Sequence, residues 1–470
     1  MGDITQLKEF PGNIVVVGCG SIGQAVLSLL VRDLGVVPAR LRVVTADQRR
    51  RPAADVLGVR FAIAALTPAN LHEVMGRHLR AGNFLLDLSV EVDSLELLQF
   101  ATRPGALYLD AGIEPWLGGY ADPTLSPGQR SCPGFRAKAL ALSDRIRPGR
   151  PTAAIRANTG LVSQLVEESM LELARALGAE LKAPRDAEGW AQLFRGFGIR
   201  TIQITEHDSQ VSRTPRVADE FVSTWSADGF LGEEPQLAEL GRCTAEAALP
   251  PDARRPSADR PGVCLLCPGM NVRVRNWAPV AGPFVGYLAT HKESLSIADH
   301  PTLRGHGRVV YRPTVHHAYC PYPDAVLSQY DLLARGFAQL PQARITAEEI
   351  VHGQDELGLV LAGHPQGAFA FGSQLDIEDA RAIGAHANAT ALQVAAGILG
   401  DTAAACTQPR LGLVEPDELD FGRVLATAWS YFGRLVGAWS NWTSLTWHAR
   451  LFPEALNLSG PLRFANVQVA

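Results

Sequence analysis

Acidic stretches with aromatic or imidazole neighbours recur along this chain: "DAGIEPWLGGYADP" (110–123), "TEHDSQ" (205–210), "STWSADGFLGEE" (223–234), "THKESLSIAD" (290–299) and "GQDELG" (353–358). In the first, glycine and proline make a stiff turn after an apparent strand, which would hold Glu114 and Trp116 in place. A carboxylate attracts a cation by charge and an indole attracts one through its π face. The chemistry these residue types suit is therefore that of an ammonium ion. Taken singly, each stretch is a solvated charge, a cap or a turn with a buried Trp. Their weight lies in occurring together in loops, where a rigid scaffold displays functional groups.

A second signal is "GCGSIG", which follows the strand-like NIVVVG and opens the helix-like SIGQAVLSLLVRDLG. In that context a GxGxxG run predicts a dinucleotide site, with Gly18, Gly20 and Gly23 admitting the pyrophosphate to the helix N-terminus beside Ser21 and Ile22. Asp47, closing LRVVTAD, is the expected ribose ligand and favours NAD over NADP, although Arg49, Arg50 and Arg51 offer an alternative partner for a 2′-phosphate. Asp87, Leu88 and Ser89 end a further strand and are expected to line the nicotinamide side.

These groups need a scaffold, and the apolar patterning supplies one. Residues 13–112 alternate β-type runs with amphipathic stretches, the signature of a doubly wound α/β fold. A Rossmann-type NAD-binding domain is expected over 10–152. The pattern changes near RPGRPT (147–152), and a larger α/β (α+β) catalytic domain is expected over 153–470, with C-terminal helices able to pack back on the first domain. The run PPDARRPSADRP (250–261) reads as a surface loop. FGRVLATAWSYFGRLVGAWSNW (421–442) has helical apolar spacing, so Trp429, Tyr431, Phe432, Trp439 and Trp442 are expected on a buried or dimer-forming helix face.

A length of 470 residues exceeds what one core normally fills. The seven cysteines form no regular framework and the N-terminus lacks an export pattern, so a reduced, cytoplasmic protein is expected. Charges break the apolar runs, which predicts no membrane span. A net charge of −5 gives no basic face for nucleic acid. Cys264 and Cys267 form a CxxC without a second ligand pair at zinc spacing, and His316 and His317 are adjacent, hence on opposite sides of a strand, so no metal site is expected and one of the two histidines is left to face a pocket.

The ordered blocks GCGSIGQAVLSLL, YLDAGIEPWLGGYADPTLSP, ANTGLVS, STWSADGF, THKESLSIAD, YRPTVHHAYCPYPDAVLS and DELG are similar to those of the bacterial homospermidine synthase family. The resemblance runs from about residue 12 to beyond 400. It implies a Rossmann domain joined to a larger catalytic domain of the saccharopine dehydrogenase type, tightly held NAD and a homodimer. It also implies amine chemistry: putrescine is oxidised to an imine, a second amine displaces ammonia, and the retained hydride reduces the Schiff base to homospermidine. The site it implies comprises Glu206 and Glu233 for amine binding and deprotonation and His291 as proton shuttle. Asn158 would orient by hydrogen bonding, Trp225 would be the π contact, and Glu114 and Asp355 would anchor the distal ammonium.

Several positions depart from the family pattern. Glu91 stands where a shorter Asp is expected, so one methylene could resize the diamine slot. AAIRANTG places Arg156 before Asn158, GRCTAEA (241–247) replaces a Trp- and His-bearing segment, and Lys292 replaces an uncharged Asn beside His291. A free Lys292 would oppose a dicationic substrate unless it pairs with an acid. Two other readings remain open at this stage. One is a saccharopine-type or reductive-amination dehydrogenase using Arg156 or Lys292 to hold a carboxylate; the other is a non-catalytic NAD-binding protein.

Overall fold

The computed structural model describes residues 10–146, 153–156, 161–233, 235–242, 244, 246, 250, 252–255, 261–384, 387–446 and 460–469. A seven-stranded sheet runs in the order Gly412–Val414, Ala153–Arg156, Leu107–Asp110, Phe84–Asp87, Ile14–Val17, Leu41–Thr45, Arg60–Ile63, with every pairing parallel. Ile14–Val17, Phe84–Asp87 and Leu107–Asp110 are buried along their length, as strands covered on both faces must be. The chain order reverses between Ile14–Val17 and Phe84–Asp87, and in such sheets ligands collect in the crevice outside the carboxyl ends at that point. The loops carrying Gly18 and Leu88 lie there.

Two strands of this sheet come from beyond residue 152, so the sheet does not end where the sequence pattern changes. The Ala389–Thr407 helix packs against Ser21–Arg32, and one hydrophobic cluster runs from Val16 and Leu30 through Leu399 to Ile204. The two halves of the fold therefore share a core.

The second sheet is mixed. Among the described residues its main path runs Ala253–Arg254, Gly262–Pro268, Leu237–Gly241, Thr314–Cys320, Thr201–Asp208, Gln354–Ala362, Ala368–Asp376, Arg434–Ser440. Thr201–Asp208 is central, parallel to Thr314–Cys320 and antiparallel to Gln354–Ala362.

The aromatic tail corrects one expectation. It forms a short helix, Phe421–Ala428, a single 3-10 turn, Trp429–Tyr431, and then the strand Arg434–Ser440. Gly433 at φ +60° ends the helical course, in a left-handed conformation that favours glycine. The following residues then pair with Ala368–Ser373, and Trp439 packs edge-on against Phe369 with ring centres 5.2 Å apart. Tyr431 and Phe432 are buried whereas Trp429 is exposed.

Ala389–Thr407 is 19 residues long with a mean hydropathy of 1.2 over its most apolar window, enough by length and composition to cross a membrane. Here 89% of that window is buried inside the protein, so the helix serves as the central core element. It carries Asp401, fully buried, with no hydrogen-bond partner on either carboxyl oxygen among the described residues. Burial pushes the Asp401 carboxyl up to about 8, against the opposing pull of the Lys292 ammonium. The folded state thus binds a proton that the unfolded chain releases near pH 4, so this residue costs stability progressively as pH rises from about 4 to about 8. Asp401→Asn is expected to remove that slope, its melting temperature gaining on the parent's between pH 5 and 8; a constant difference across the range would show Asp401 to be paired.

Candidate active site

The glycine loop divides its work among three positions. Gly18 sits at φ +86°, where an added Cβ would lie 2.4 Å from the Leu88 carbonyl oxygen, so only glycine lets the two loops meet. A Cβ added at Gly23 would lie 3.2 Å from the Gly18 carbonyl oxygen, so glycine there permits the close packing of helix on strand. A Cβ on Gly20, by contrast, would meet no heavy atom within 4 Å. The space above Gly20 opens at the N-terminus of the twelve-residue Ser21–Arg32 helix, where backbone N–H groups favour an anion. This cradle fits a dinucleotide pyrophosphate. Ser21 begins the helix and Ile22 packs on the core.

Asp47 caps the turn after Leu41–Thr45. Its Oδ1 accepts from Arg49 Nε at 2.8 Å and Oδ2 from Arg49 Nη2 at 3.0 Å, with Arg50 Nε at 3.3 Å. The Arg49 guanidinium holds the carboxyl below the usual range. Asp87 turns inward. It accepts from Ser89 Oγ at 2.6 Å and from Tyr108 Oη at 3.3 Å, and burial pushes its carboxyl up to about 7.

The second sheet presents a row of polar groups at the carboxyl end of Thr201–Asp208. Register places Tyr319 beside Glu206, Glu206 beside Leu357, and Asp208 beside Asp355. Because strand side chains alternate, Glu206 and Asp208 share one face. Asp208 accepts four hydrogen bonds of 2.9–3.0 Å, from the Gln210 backbone and side chain, Thr224 and Thr390, yet burial still raises its carboxyl to about 6. Asp355, fully buried beside it, is pushed well above the carboxylate range by burial and then by the Asp208 charge.

The same contacts fix Trp225. Thr224 is tied to Asp208 through its hydroxyl and to the Asn388 side chain through its carbonyl, and Asn388 caps the Ala389–Thr407 helix. Gly229 leaves room for the indole, since a Cβ there would lie 2.8 Å from the Trp225 ring. Trp225, Glu206, His291 and Leu357 line one cleft, closed on the helix side by Thr390 and Gln393.

His291 also lines a second, adjoining cleft with Glu114, Tyr120, Glu233 and Glu293. Its Nε2 lies 3.5 Å from Glu233 Oε2 and its Nδ1 3.7 Å from Glu293 Oε2. Burial lowers the His291 pKa despite the Glu293 charge, which keeps the ring neutral and able to take a proton. Glu293 is also fully buried, but the Lys292 ammonium, and the His291 ring whenever it is protonated, offset that burial and hold its carboxyl low. Glu114 is pinned by its backbone, donating to Ser94 Oγ at 3.0 Å and accepting from the Ser94 N–H at 2.9 Å. Burial pushes its carboxyl up to about 7, and its Oε1 and that of Glu233 both lie 4.0 Å from where a Gly112 Cβ would be.

The structure thus brings Glu114, Glu206, Trp225, Glu233 and His291 around two clefts that share one imidazole, with Asp355 behind the first. Asn158 lies outside the described residues, as does the side chain of Arg156. Trp116 leaves the acid–aromatic pair expected at 110–123: its indole N–H donates to Glu96 at 3.1 Å and its ring packs on the cluster around Leu85 and Tyr108. Glu91 is exposed at φ +62°, and burial with the Asp228 charge raises its carboxyl modestly. Lys292 also lines the second cleft, but its ammonium is paired with Asp110, Nζ to Oδ1 3.3 Å, which offsets the charge expected to oppose a cationic substrate.

Sequence reasoning assigned no site role to Tyr120, Asp208, Thr390 or Gln393, and of His316 and His317 it expected only that one faces the pocket, without choosing between them. For His317 a signal existed, the alternation that sends one of two adjacent histidines toward each face. His316 points into apolar surroundings against Phe464 while His317 meets Glu206.

Comparison with known proteins adds to this geometry. Residues 14–154 match the family model "Saccharopine dehydrogenase NADP binding domain". The homospermidine synthase of Blastochloris viridis is 42% identical over 476 aligned residues, covering 100% of both chains. That of Mesorhizobium japonicum is 36% identical over 98% of this chain and 97% of its own. The crystal structure of the Legionella pneumophila homospermidine synthase in complex with NAD superposes with a TM-score of 0.89 at 35% identity, covering 98% of each chain.

Proposed function

Because this chain belongs to the homospermidine synthase family, we propose that it joins two putrescine molecules into homospermidine with release of ammonia, keeping NAD bound throughout. Bound NAD supplies a hydride acceptor for oxidation of the first amine and returns that hydride to the Schiff base. Gly18, Gly20, Ser21, Ile22 and Gly23 would hold its pyrophosphate, Asp47 its ribose, and Asp87, Leu88 and Ser89 would border its nicotinamide. The chain's own residues handle protons and charge. An amine of pKa about 10 arrives protonated, and its nitrogen needs a lone pair before the adjacent carbon can lose hydride. Glu206 takes that proton beside Trp225, whose π face holds the cation, while Glu233 and His291 serve the second nitrogen, Glu114 anchors a distal ammonium group and Asp355 backs the first cleft without touching substrate.

The observation that carries this reading is the pair of acid-lined clefts meeting at His291, a neutral imidazole within 4 Å of two carboxylates. Lys292 lines the second cleft paired with Asp110 and among Glu114, Glu233 and Glu293, a lining that favours a cationic substrate over a saccharopine-type carboxylate. All six cysteines among the described residues are free, which fits a reduced, cytoplasmic enzyme, and we infer a homodimer from the family. The decisive experiment incubates the protein with putrescine and a trace of NAD. Homospermidine and ammonia are expected in equal amounts with no lasting rise in absorbance at 340 nm. Absence of any secondary amine from putrescine, cadaverine or 1,3-diaminopropane, with added NADH consumed when an amine and a keto acid are supplied together, would instead establish a dehydrogenase.

Trp225 gives a graded test. A cation–π contact is worth about 1–2 kcal/mol when desolvated, so Trp225→Ala should lose about tenfold or more in rate while Trp225→Phe keeps part of it. Melting temperatures separate this from a packing defect. If both variants fold and turn over putrescine like the parent, the indole is scaffold.

A further inference from the structure

His317 is 3% exposed, on the strand Thr314–Cys320, with Nε2 3.1 Å from Glu206 Oε2. Its Nδ1 is buried without a hydrogen-bond partner among the described residues, and its ring centre lies 5.4 Å from that of His291. The groups facing it are Glu206 on the neighbouring strand and His291 and Glu293 on the loop and helix above, with His316 next along its own strand but on the opposite face. Two carboxylate–imidazole pairs therefore adjoin through their rings, Glu206–His317 and Glu233–His291. A backbone bond, Ala289 N–H to the His317 carbonyl at 3.0 Å, ties one pair's strand to the other pair's loop.

We propose that His317, acting through Glu206, is a proton store that holds the proton taken from one substrate ammonium until a product nitrogen needs it. The proposal rests on the function given above. Its stoichiometry follows from that reaction: two alkylammonium groups enter, and one dialkylammonium group and one ammonium ion leave. Charge is conserved, yet each entering nitrogen must lose one proton to expose its lone pair. One proton then returns to the secondary amine and one to the departing ammonia. Two protons are out at once, and two imidazoles stand beside two carboxylates at the site, His291 lining the clefts and His317 buried behind Glu206. Glu206 passes its proton to His317 Nε2 across the 3.1 Å contact and is free to act again; Glu233 and His291 carry the other. His317 touches no substrate in this scheme and is a positioning residue that acts through Glu206.

His317→Gln separates storage from mere orientation, because the Gln amide can still donate an N–H to Glu206 but cannot accept and release a proton at neutral pH. The expected result is a kcat about 10- to 100-fold lower, a putrescine KM within about twofold, and a pH–rate profile that loses one ionisation. His317→Phe should fall further. Parent-like kcat and pH profile in a folded His317→Gln would overturn storage and leave His317 as an orienting group. A measurement on the parent itself covers the case where the variants do not fold. In weakly buffered solution with an indicator dye, the enzyme mixed with excess putrescine is expected to show less than one proton released per active site in the first turnover. A burst of two protons per site would refute the store. A parent that makes no homospermidine fails the functional reading, whereas a parent that makes it with such a burst fails only this inference.

Discussion

Glu206→Gln is expected to lower the rate of secondary-amine formation about 10²- to 10⁴-fold with NAD binding and melting temperature unchanged. The substitution keeps the side chain's shape and its contact with His317, but the amide takes no proton, so only putrescine already present as free amine can react. At neutral pH that fraction is about one part in a thousand for an amine of pKa about 10. A specific signature follows. The variant's rate should climb about tenfold per pH unit toward the amine's own pKa, while the parent's flattens at lower pH. Rates are to be measured from pH 6.5 to 10 by product quantification. A variant with parent-like rate and a parallel pH profile would assign the base to Glu233 or Glu114, whose carboxylates share the second cleft.

The second large effect concerns the cofactor cradle. Gly20→Val should leave the cofactor-free fold within about 1 kcal/mol of the parent, because an added Cβ meets nothing within 4 Å and the residue is an N-cap in an extended conformation. It should weaken NAD binding at least about 100-fold, since the new side chain occupies the space above the helix N-terminus. Thermal shift reads both at once. At an NAD concentration 100 times the parent's Kd, the parent gains about 2.7 kcal/mol of stability and the variant gains about 0.4 kcal/mol or less. Gly18→Ala is the contrast: φ +86° and a 2.4 Å approach to the Leu88 carbonyl make it damage the fold with or without cofactor. Undiminished NAD stabilisation in Gly20→Val would place the pyrophosphate elsewhere.

The sequence by itself determined what rests on near neighbours and residue type. The βα alternation of 13–112 and the glycine loop depend on side-chain periodicity and on backbone freedom within a few residues, so they were legible. The acid-bearing stretches and the family blocks pointed to amine chemistry, and Glu114, Glu206, Trp225, Glu233 and His291 do converge on two joined clefts.

What only the tertiary structure decided depends on which distant segments pair and in what register. Glu206 and His317 are 111 positions apart and meet because two parallel strands align Glu206 with Tyr319. Lys292 finds Asp110 across 182 positions, which turns a charge that looked hostile to substrate into a buried structural pair. Trp225, held through Thr224, and not Trp116, faces the cleft. The strand Arg434–Ser440 reads as helix locally until Gly433 and an open sheet edge redirect it. No local pattern encodes such contacts, because they are fixed by the free energy of packing whole sheets and helices together rather than by the conformational preference of any one segment.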